Sequence, residues 1–367
     1  MKTEQLKKLI DHPVRWLDGS GPFSQIVLST RIRLARNLDG IPFPHHATKL
    51  QSRQVLNFIK EVVENNRILK NMFFVDMDEL SNTEKEFLLE RHLTSPEHAR
   101  KGRISKYLFF DSDETTAIMI NEEDHIRLQV VVSGLQLFEA WKTIDEIDNS
   151  LGENLDYAYS DELGYLSSCP SNAGTGMRAS VFMHLPGLVK TRRISQVLSD
   201  ASKTGVVARG YYGEGTKSQA GFFQISNQVS LGLKEEEFVE NIDTICREII
   251  TKEEDARNEL FKKDSVKIKE EISLSYDMIR NQNIISSGQA MNMLSDLRLG
   301  LWYGLIPSLN LAFLNELLLL MNPAHIQMKE GKRLDAFNRD MKRALFFREK
   351  LRVKRRGSSL NGARKKS

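Results

Sequence analysis

Arginines, carboxylates and one cysteine are concentrated in four short stretches of this sequence. Five of the residues are arginines, and arginine stays protonated and binds phosphate oxygens through two parallel hydrogen bonds. Five such cations exceed what a fold needs for stability, and they suit a polyanion such as a nucleoside triphosphate with Mg²⁺. The stretches are STRIRLARN (29–37), NEEDHIRLQ (121–129), CPSNAGTGMRA (169–179) and RGYYGEGTKS (209–218), and the arginines are Arg31, Arg33, Arg127, Arg178 and Arg209.

The same stretches hold two carboxylates and a thiol that suit a cationic acceptor: Glu123, Glu214 and Cys169. A carboxylate can bind a guanidinium and can also accept a proton from it. Neighbouring cations would favour the thiolate form of the cysteine. Taken singly, each stretch also has a plain structural interpretation: solvated arginines on an edge strand, a surface Glu–Arg pair, a buried turn cysteine, or a flexible hairpin turn.

Strands are expected to position the first two stretches. A strand at 25–37 would place Arg31 and Arg33 on one face, because side chains two apart in a strand point the same way. A single strand at 116–134 would include the NEEDH cluster and place Glu123 and Arg127 on one face.

A loop and a helix are expected to position the third stretch. The glycine-rich segment NAGTG predicts a loop, and MRASVFMHL predicts the start of a helix with Arg178 in its first turn. Backbone N–H groups at such a start attract anions. In the fourth stretch, Glu214 is the single acid of a glycine-rich loop of the kind that closes over substrates.

Several strands in succession precede residue 234, and nearly every later segment to residue 353 has helical periodicity. This order favours a largely antiparallel sheet followed by an all-helical region. We predict four parts: an N-terminal segment (1–24), a catalytic domain (25–258), a helical domain (259–353) and a basic disordered tail (354–367).

Composition narrows the class of protein further. The net charge is +3, and residues 350–367 hold eight lysines and arginines with no acid. That end of the chain could contact nucleic acid, although a solubilising role explains it as well. Two cysteines cannot form a disulfide framework and fit a reducing cytoplasm. The sequence has no apolar run long enough to span a membrane and no signal-peptide core.

In this order, the four stretches resemble the ATP:guanido phosphotransferase (phosphagen kinase) family across roughly residues 25–232. CPSNAGTGMRA is similar to that family's signature around its reactive cysteine. Three features resemble its bacterial protein-arginine kinase branch. STRIRLARN begins too early for the long helical N-terminal domain of the small-substrate kinases, Glu214 adds an acid to the loop, and RDMKRA (339–344) is similar to a phosphoarginine-binding motif.

The resemblance implies an α+β fold in which a largely antiparallel, glutamine-synthetase-like sheet is flanked by helices. It implies that Glu123 is the catalytic base, Glu214 a second guanidinium ligand and Cys169 the active-site thiol. It also implies an allosteric phosphoarginine site formed by Arg339, Asp340, Arg343 and Ala344. The residues it assigns to ATP are Ser29, Arg31, Arg33, Arg127, Arg178, Ala179, Ser180, Arg209 and Glu214, with Mg²⁺ held mainly by ATP and no metal site of the protein's own.

The activity implied is transfer of the ATP γ-phosphoryl group to arginine residues of proteins, in the cytoplasm. Implied partners are protein substrates, a second copy of the chain in a homodimer or higher oligomer, a zinc-binding activator protein and a Clp-type unfoldase, with the phosphorylated proteins marked for degradation under stress. Nucleic acid would be contacted only indirectly and no membrane is involved. The alternatives are a kinase for free arginine or another small guanidine, and a non-catalytic phosphoarginine-binding adaptor.

Overall fold

An antiparallel sheet forms the centre of the molecule. The computed structural model describes residues 3–210 and 220–363, with the side chains of 6–170, 172–210 and 220–352. The strands are β1 (Val27–Arg36), β2 (Phe73–Asp76), β3 (Tyr107–Phe110), β4 (Thr116–Ile120), β5 (Ile126–Ser133), β6 (Tyr159–Ser160), β7 (Gly164–Tyr165), β8 (Met177–His184), β9 (Val206–Gly210) and β10 (Phe222–Asn227). Eight of them form one sheet in the order β2-β3-β4-β5-β1-β8-β10-β9, while β6 and β7 form a separate ribbon. All neighbouring strands are antiparallel, as predicted.

Helices flank the sheet and make up the C-terminal region. In the described residues they are α1 (Thr3–Lys8), α2 (Lys49–Asn65), α3 (Asn82–Glu90), α4 (Pro96–Ala99), α5 (Leu137–Gly152), α6 (Pro186–Lys190), α7 (Ile194–Ser202), α8 (Glu235–Asn281), α9 (Ser287–Trp302), α10 (Leu311–Leu320), α11 (Pro323–Glu330) and α12 (Ala336–Ala363). Helix α8 crosses the expected domain boundary at 258 and has non-helical backbone angles only at Asp264. Helix α12 extends into the segment 354–367, for which disorder was predicted. No helix of the described ranges is long and apolar enough to cross a membrane.

One face of the sheet is buried under α2, α5 and the first half of α8. Ile32 and Leu34 of β1 are fully buried there, in one cluster with Val55 and Ile59 of α2. Helix α2 begins with a capping box at Thr48, whose side chain accepts a hydrogen bond from the backbone of the helix's third residue. Because side chains alternate along a strand, this packing directs the intervening arginines of β1 to the opposite face.

The opposite face is polar in its middle and apolar at its margins. Leu108 and Phe110 of β3 pack with residues of α1 and α3. Leu28, Val131 and Phe222 belong to a second cluster with buried residues of α9, α10 and α12. The C-terminal helices therefore lie against this face and border its polar strip.

The prediction of a helix at MRASVFMHL is wrong, because these residues form the central strand β8. Met177, Ala179, Val181 and Met183 alternate along it and are all buried in the core. The strand pairs with β1 on one side and β10 on the other. The apolar residues of this segment fit the spacing of a helix and also the alternation of a strand. Pairing with the neighbouring strands decides in favour of the strand. Arg178 is a strand residue and does not lie in the first turn of a helix.

The prediction of one strand through 116–134 is also wrong, because NEEDH forms the turn of a hairpin between β4 and β5. Asn121 has a positive φ of 61° and its N–H donates to the His125 carbonyl at 3.0 Å. Asparagine tolerates this left-handed conformation better than most residues. Glu123 therefore lies in the turn, whereas Arg127 lies within β5, so the two do not share a strand face.

Candidate active site

Four strands bring the five predicted arginines to one face of the sheet. Arg33 of β1 lies directly opposite Arg178 of β8. Arg31 lies two residues before Arg33 on the same face, and Arg127 of β5 lies opposite the position two residues after it. Arg209 of β9 reaches this face through the register of β10. Directly paired residues of an antiparallel sheet share a face, so the sheet itself collects these cations.

Two of these guanidinium groups are incompletely satisfied. The Nε atoms of Arg33 and Arg178 are buried and have no hydrogen-bond partner among the described residues. Burial and the neighbouring charges of Arg31, Arg127 and Arg178 hold the pKa of Arg33 well below its ordinary value. Burial, Arg209 and Arg127 likewise lower the pKa of Arg178. A bound polyanion would supply the missing acceptors and offset the mutual repulsion of these cations.

A cavity of about 860 Å³ opens over this arginine face. Its volume lies within the range of small-molecule sites. Its sheet side includes Ser29, Arg31, Arg33, Gln129 and Ser180, together with His92. Its far side reaches the C-terminal helices, where it includes Arg333 and Arg339.

His92 was not among the predicted site residues, although it lines this cavity. It directly follows Arg91 after helix α3, has a positive φ of 61°, and its ring stacks on Trp16 with 4.6 Å between centroids. Burial and the charges of Arg31 and Arg33 lower its pKa to about 3, so the imidazole is neutral. Neither residue type nor spacing singles out this histidine in the sequence, because its contacts come from distant segments.

Arg127 is held by the carboxylate of Glu122, a residue that was not among the predicted site residues. Arg127 donates to Glu122 through Nη1 at 2.5 Å, and Ser95 donates its hydroxyl to the same oxygen at 2.5 Å. The second carboxylate oxygen of Glu122 is buried with no hydrogen-bond partner in the described part of the chain. The hairpin turn made this pairing possible, and a continuous strand would have placed these two residues on opposite faces.

Glu123 lies at the edge of the arginine face with its side chain 46% exposed. Its Oε2 is 3.9 Å from Nη2 of Arg127. Partial burial raises the pKa of Glu123 above its ordinary value, Arg127 opposes this effect, and the nearby acids Glu122 and Asp124 add to it. A raised pKa on an accessible carboxylate suits a group that must accept a proton.

Asp124 fastens the cysteine loop to the turn that contains Glu123. This buried carboxylate accepts hydrogen bonds from the Ser167 hydroxyl at 2.9 Å and from the Ser168 backbone at 2.8 Å. The Ser168 hydroxyl in turn donates to the Glu123 carbonyl at 2.8 Å. Cys169, the next residue, is half-buried and donates its N–H to the Ser167 hydroxyl. The two predicted stretches therefore meet beside Arg127, at the edge of the arginine face.

The remaining predicted residues have different positions. Ala179 lies on the core face of β8 and is fully buried, so only its backbone could face a ligand from this strand. Ser180 lies on the cavity face, and its hydroxyl donates to the Arg31 carbonyl at 3.4 Å. Arg209 is exposed on β9. Glu214 lies outside the described residues.

The RDMKRA motif lies on α12, where one of its arginines is structural. The Arg343 guanidinium is buried and donates to the carbonyls of Met321 and Ile285, each at 2.7 Å, and to the Asp340 carboxylate at 2.5 Å. Arg339 donates to the Leu334 carbonyl at 2.7 Å. Ala344 is buried in the helical core and makes no polar contact through its side chain. Of the four motif residues, only Arg339 lines the large cavity.

No group of three histidines, cysteines or acids in the described segments is arranged to hold a metal ion. Glu122 and Glu123 are the carboxylates nearest to Arg127, and Arg127 already pairs with Glu122. These residues do not form a metal site of their own. They fit a divalent cation that is held mainly by the phosphate oxygens of a ligand bound to the arginines.

Comparison with known proteins gives consistent results along the chain. Residues 54–256 match a family model described as ATP:guanido phosphotransferase, C-terminal catalytic domain. Residues 265–361 match one described as protein-arginine kinase McsB C-terminal domain. A protein-arginine kinase of Halothermothrix orenii is 43% identical over 349 residues, covering 95% of this chain and 99% of the relative. One from Symbiobacterium thermophilum is 42% identical over 340 residues, covering 92% and 96%.

Solved structures of guanidine kinases share the fold. The duplicated taurocyamine kinase from Schistosoma mansoni, with bound transition state analog components, has a TM-score of 0.56 and 27% identity. That match covers 62% of this chain and 33% of the other. A lombricine kinase has a TM-score of 0.57 and 24% identity, covering 68% of this chain and 77% of the other. At this identity, the likeness to the lombricine kinase concerns the fold alone.

Proposed function

The chain belongs to the ATP:guanido phosphotransferase family, and from this premise we propose that it transfers the γ-phosphoryl group of ATP to the guanidinium of arginine residues in proteins. The observation that carries this proposal is the arginine face with its two unsatisfied buried Nε atoms, bordered by Glu123 and the Cys169 loop. The arginine face suits a polyphosphate, and the carboxylate and thiol beside it suit a guanidinium. Because the two lie next to each other, a phosphoryl group could pass from one ligand to the other.

The arginine face would act through positioning and charge. Phosphoryl transfer asks the protein mainly to align the groups and to stabilise charge on the transferring oxygens. Arg33 and Arg178 would donate to the phosphates the N–H groups that have no acceptor among the described residues. Mg²⁺ bound to ATP would neutralise part of the remaining charge, and the phosphate oxygens would hold it.

The carboxylates would activate the acceptor. A guanidinium is protonated at neutral pH and has no lone pair available for attack. Glu123 would accept one N–H proton while the nitrogen lone pair forms the N–P bond and the bond between γ-phosphorus and the ADP oxygen breaks. ADP leaves with that electron pair. The Cys169 side chain would orient the guanidinium, and Glu214 is proposed as its second carboxylate ligand.

The protein acceptor is supported by the relatives. Those with 42–43% identity over more than nine-tenths of this chain are named protein-arginine kinases. A kinase for a small guanidine is the second candidate, because the solved structure that is 27% identical to this chain is a taurocyamine kinase. The arrangement of Glu123 and the arginines would serve either acceptor.

Mass spectrometry of a protein substrate incubated with ATP and Mg²⁺ tests the proposal. The sample is kept at neutral or alkaline pH, because N-phosphorylated arginine is acid-labile. We expect phosphate on arginine and almost none with Glu123→Gln, while Glu97→Gln, which removes an exposed nearby charge, leaves the activity intact. General-base removal typically lowers turnover by about 10²–10⁴-fold. Phosphorylation of free arginine or taurocyamine without phosphorylation of the protein would favour the second candidate, and no phosphorylation of any of these acceptors would refute both.

The partners and location implied by the resemblance remain proposals. We propose a cytoplasmic homodimer or larger oligomer that works with a zinc-binding activator and a Clp-type unfoldase, and phosphoarginine binding at the RDMKRA motif. Sedimentation of the purified chain tests the oligomeric state. Affinity capture with this chain from an extract of heat-stressed cells tests binding of the activator and the unfoldase. Nucleic acid would enter only through such partners, so purified chain and DNA should not associate at physiological salt.

A further inference from the structure

Five exposed apolar side chains lie in two segments, 159–163 and 229–233, that contact the cysteine loop, and the reaction outlined above uses none of them. We call them the apolar rim. Their exposed fractions run from 45 to 56%, which is high for large apolar side chains. Contiguous exposed apolar groups on a soluble protein commonly mark an interaction surface. The apolar rim consists of Tyr159, Leu163, Val229, Leu231 and Leu233.

Short contacts join the apolar rim to the loop that follows Cys169. The Gly174 N–H donates to the Leu163 carbonyl at 2.9 Å, and the Thr175 N–H donates to the Ser230 carbonyl at 3.0 Å. Gly174 has a φ of +95°, and a Cβ built there would lie 2.5 Å from the Ser230 carbonyl oxygen and 3.0 Å from Cδ1 of Leu231. Both halves of the rim therefore pack against the same few residues of the loop.

The chain on the Leu163 side of the rim is acidic, whereas the exposed Lys234 follows Leu233 on the other side. Residues 153–177 include four acids and no lysine, arginine or histidine. All four acids are exposed, and two of them lie directly before Leu163 in the β6–β7 turn. A cationic segment would be attracted to this side of the loop and repelled from the arginine face beside it. The acids are Glu153, Asp156, Asp161 and Glu162.

We propose that the apolar rim binds an apolar side chain next to the target arginine of the acceptor protein. This inference rests on the proposed function and specifies its acceptor. The guanidinium would reach Glu123 and Cys169 while the neighbouring residue packs on Leu163 and Leu231. The acidic surroundings would favour a segment that has a positive charge beside an apolar residue. Such segments are exposed in partly unfolded proteins, whereas free arginine has no group that could reach the rim.

Peptide kinetics test this directly. One peptide has a leucine on each side of a single arginine, a second has glycine there, and free arginine is the third acceptor. We expect Leu163→Ser/Leu231→Ser to lower kcat/KM for the leucine peptide by about tenfold, the effect of losing roughly one buried side chain. For the glycine peptide and free arginine, kcat/KM should not change. Val229→Ser alone should reproduce part of the loss and guards against misfolding of the double variant.

The matched control is Val266→Ser/Leu274→Ser, which removes two exposed apolar side chains from α8, far along the chain from the loop. It should leave all three acceptors unaffected. Equal losses for all three acceptors, or no loss with the leucine peptide, would overturn the inference while leaving arginine phosphorylation itself established. A change in sedimentation with the rim variants would also overturn it, because a second copy would then be the occupant. Failure of the wild-type chain to phosphorylate any acceptor would instead count against the proposed function.

Discussion

At the residue scale, the arginine face is an arrangement that the fold alone would not favour. Arg33 and Arg178 lie opposite each other on adjacent strands, and each has a buried Nε without a partner in the described residues. Burying a cation without a full set of acceptors costs free energy. The arrangement therefore makes physical sense only with an anion present, which is why two paired arginines support a phosphate site better than any sequence motif does.

Arg33→Gln should separate stability from binding. Without nucleotide, the free energy of unfolding should rise by about 1 kcal/mol, because one of the crowded like charges is removed. Affinity for Mg·ADP should fall by about 10²-fold, the worth of roughly two charge-assisted hydrogen bonds. Urea unfolding with and without nucleotide measures both effects, and the exposed Arg53→Gln serves as the control. A variant that is destabilised yet binds nucleotide normally would show that Arg33 is structural.

At the element scale, the sequence predicted the sheet and the arginines on it. It did not predict the conformation of two segments that hold site residues, MRASVFMHL and NEEDH. Alternating arginines identified β1, and periodicity identified α2 and the long helical region. MRASVFMHL was misjudged because small and apolar residues satisfy both periods, and only pairing with β1 and β10 decides for a strand. NEEDH was misjudged because no glycine or proline marks the turn.

The conformation of NEEDH also determines how the candidate site is assembled. As a strand, NEEDH would place Asp124 on the far side of the sheet from Glu123. As a turn, it lets Asp124 bind the loop before Cys169 while Glu123 stays accessible. Local sequence cannot reveal this, because the partners lie more than forty residues away. The shared face of Arg31 and Arg33 was therefore predictable from the strand period, whereas the contacts between the turn and the cysteine loop depend on the fold.

Asp124→Ala should impair turnover without impairing nucleotide binding. Losing the hydrogen bonds that Asp124 accepts from Ser167, Ser168 and Asn172 frees the loop at 166–172 from the turn, so Cys169 would no longer be held beside Glu123. We expect kcat to fall by about 10–100-fold, since small misplacements of catalytic groups cost that much, with the KM for ATP unchanged. Faster amide hydrogen exchange in the loop would identify the cause. The exposed Asp39→Ala is the control, and an unchanged kcat would contradict the positioning role.

At the scale of the whole molecule, the end of α3 connects the large cavity over the arginine face to the C-terminal helices. The Glu90 carboxylate accepts hydrogen bonds from the backbone N–H groups of Ala324 and His325, which cap the start of α11. Arg91 forms a fully buried ion pair with Glu114. His92, the next residue, lines the cavity. Three consecutive residues thus link helix α11 to the arginine face.

Glu90 gives this connection a pH dependence. Burial raises its pKa to about 7, against its two backbone hydrogen bonds and the charge of Arg343. The folded state therefore keeps a proton that the unfolded state releases near pH 4.5. The free energy of unfolding should fall as pH rises from about 4.5 to 7, by up to about 3 kcal/mol, and then level off.

Glu90→Gln should remove that fall, so in urea titrations at pH 5, 6, 7 and 8 the free energy of unfolding of the wild type should drop relative to that of the variant as pH rises. His325 also faces this carboxylate, and burial holds its pKa well below the ordinary value, so its own contribution to stability grows as pH rises. That contribution is present in both proteins and cancels in the comparison. Parallel stability profiles for the two proteins would contradict a proton on Glu90.

Arg343 connects three of the C-terminal helices through buried hydrogen bonds. Its guanidinium is therefore already engaged, which limits its part in a phosphoarginine site. Its guanidinium joins α12 to the carbonyls that follow α10 and precede α9. Arg343→Ala should lower the free energy of unfolding by about 3 kcal/mol, because two buried carbonyls and the partly buried Asp340 carboxylate lose their donor. Arg339→Ala, whose side chain lines the cavity, should be nearly neutral for stability yet abolish binding of phosphoarginine. Calorimetric titration of both variants distinguishes the roles: if Arg343→Ala keeps the stability and loses only the ligand, Arg343 contacts the ligand and the helices do not depend on it.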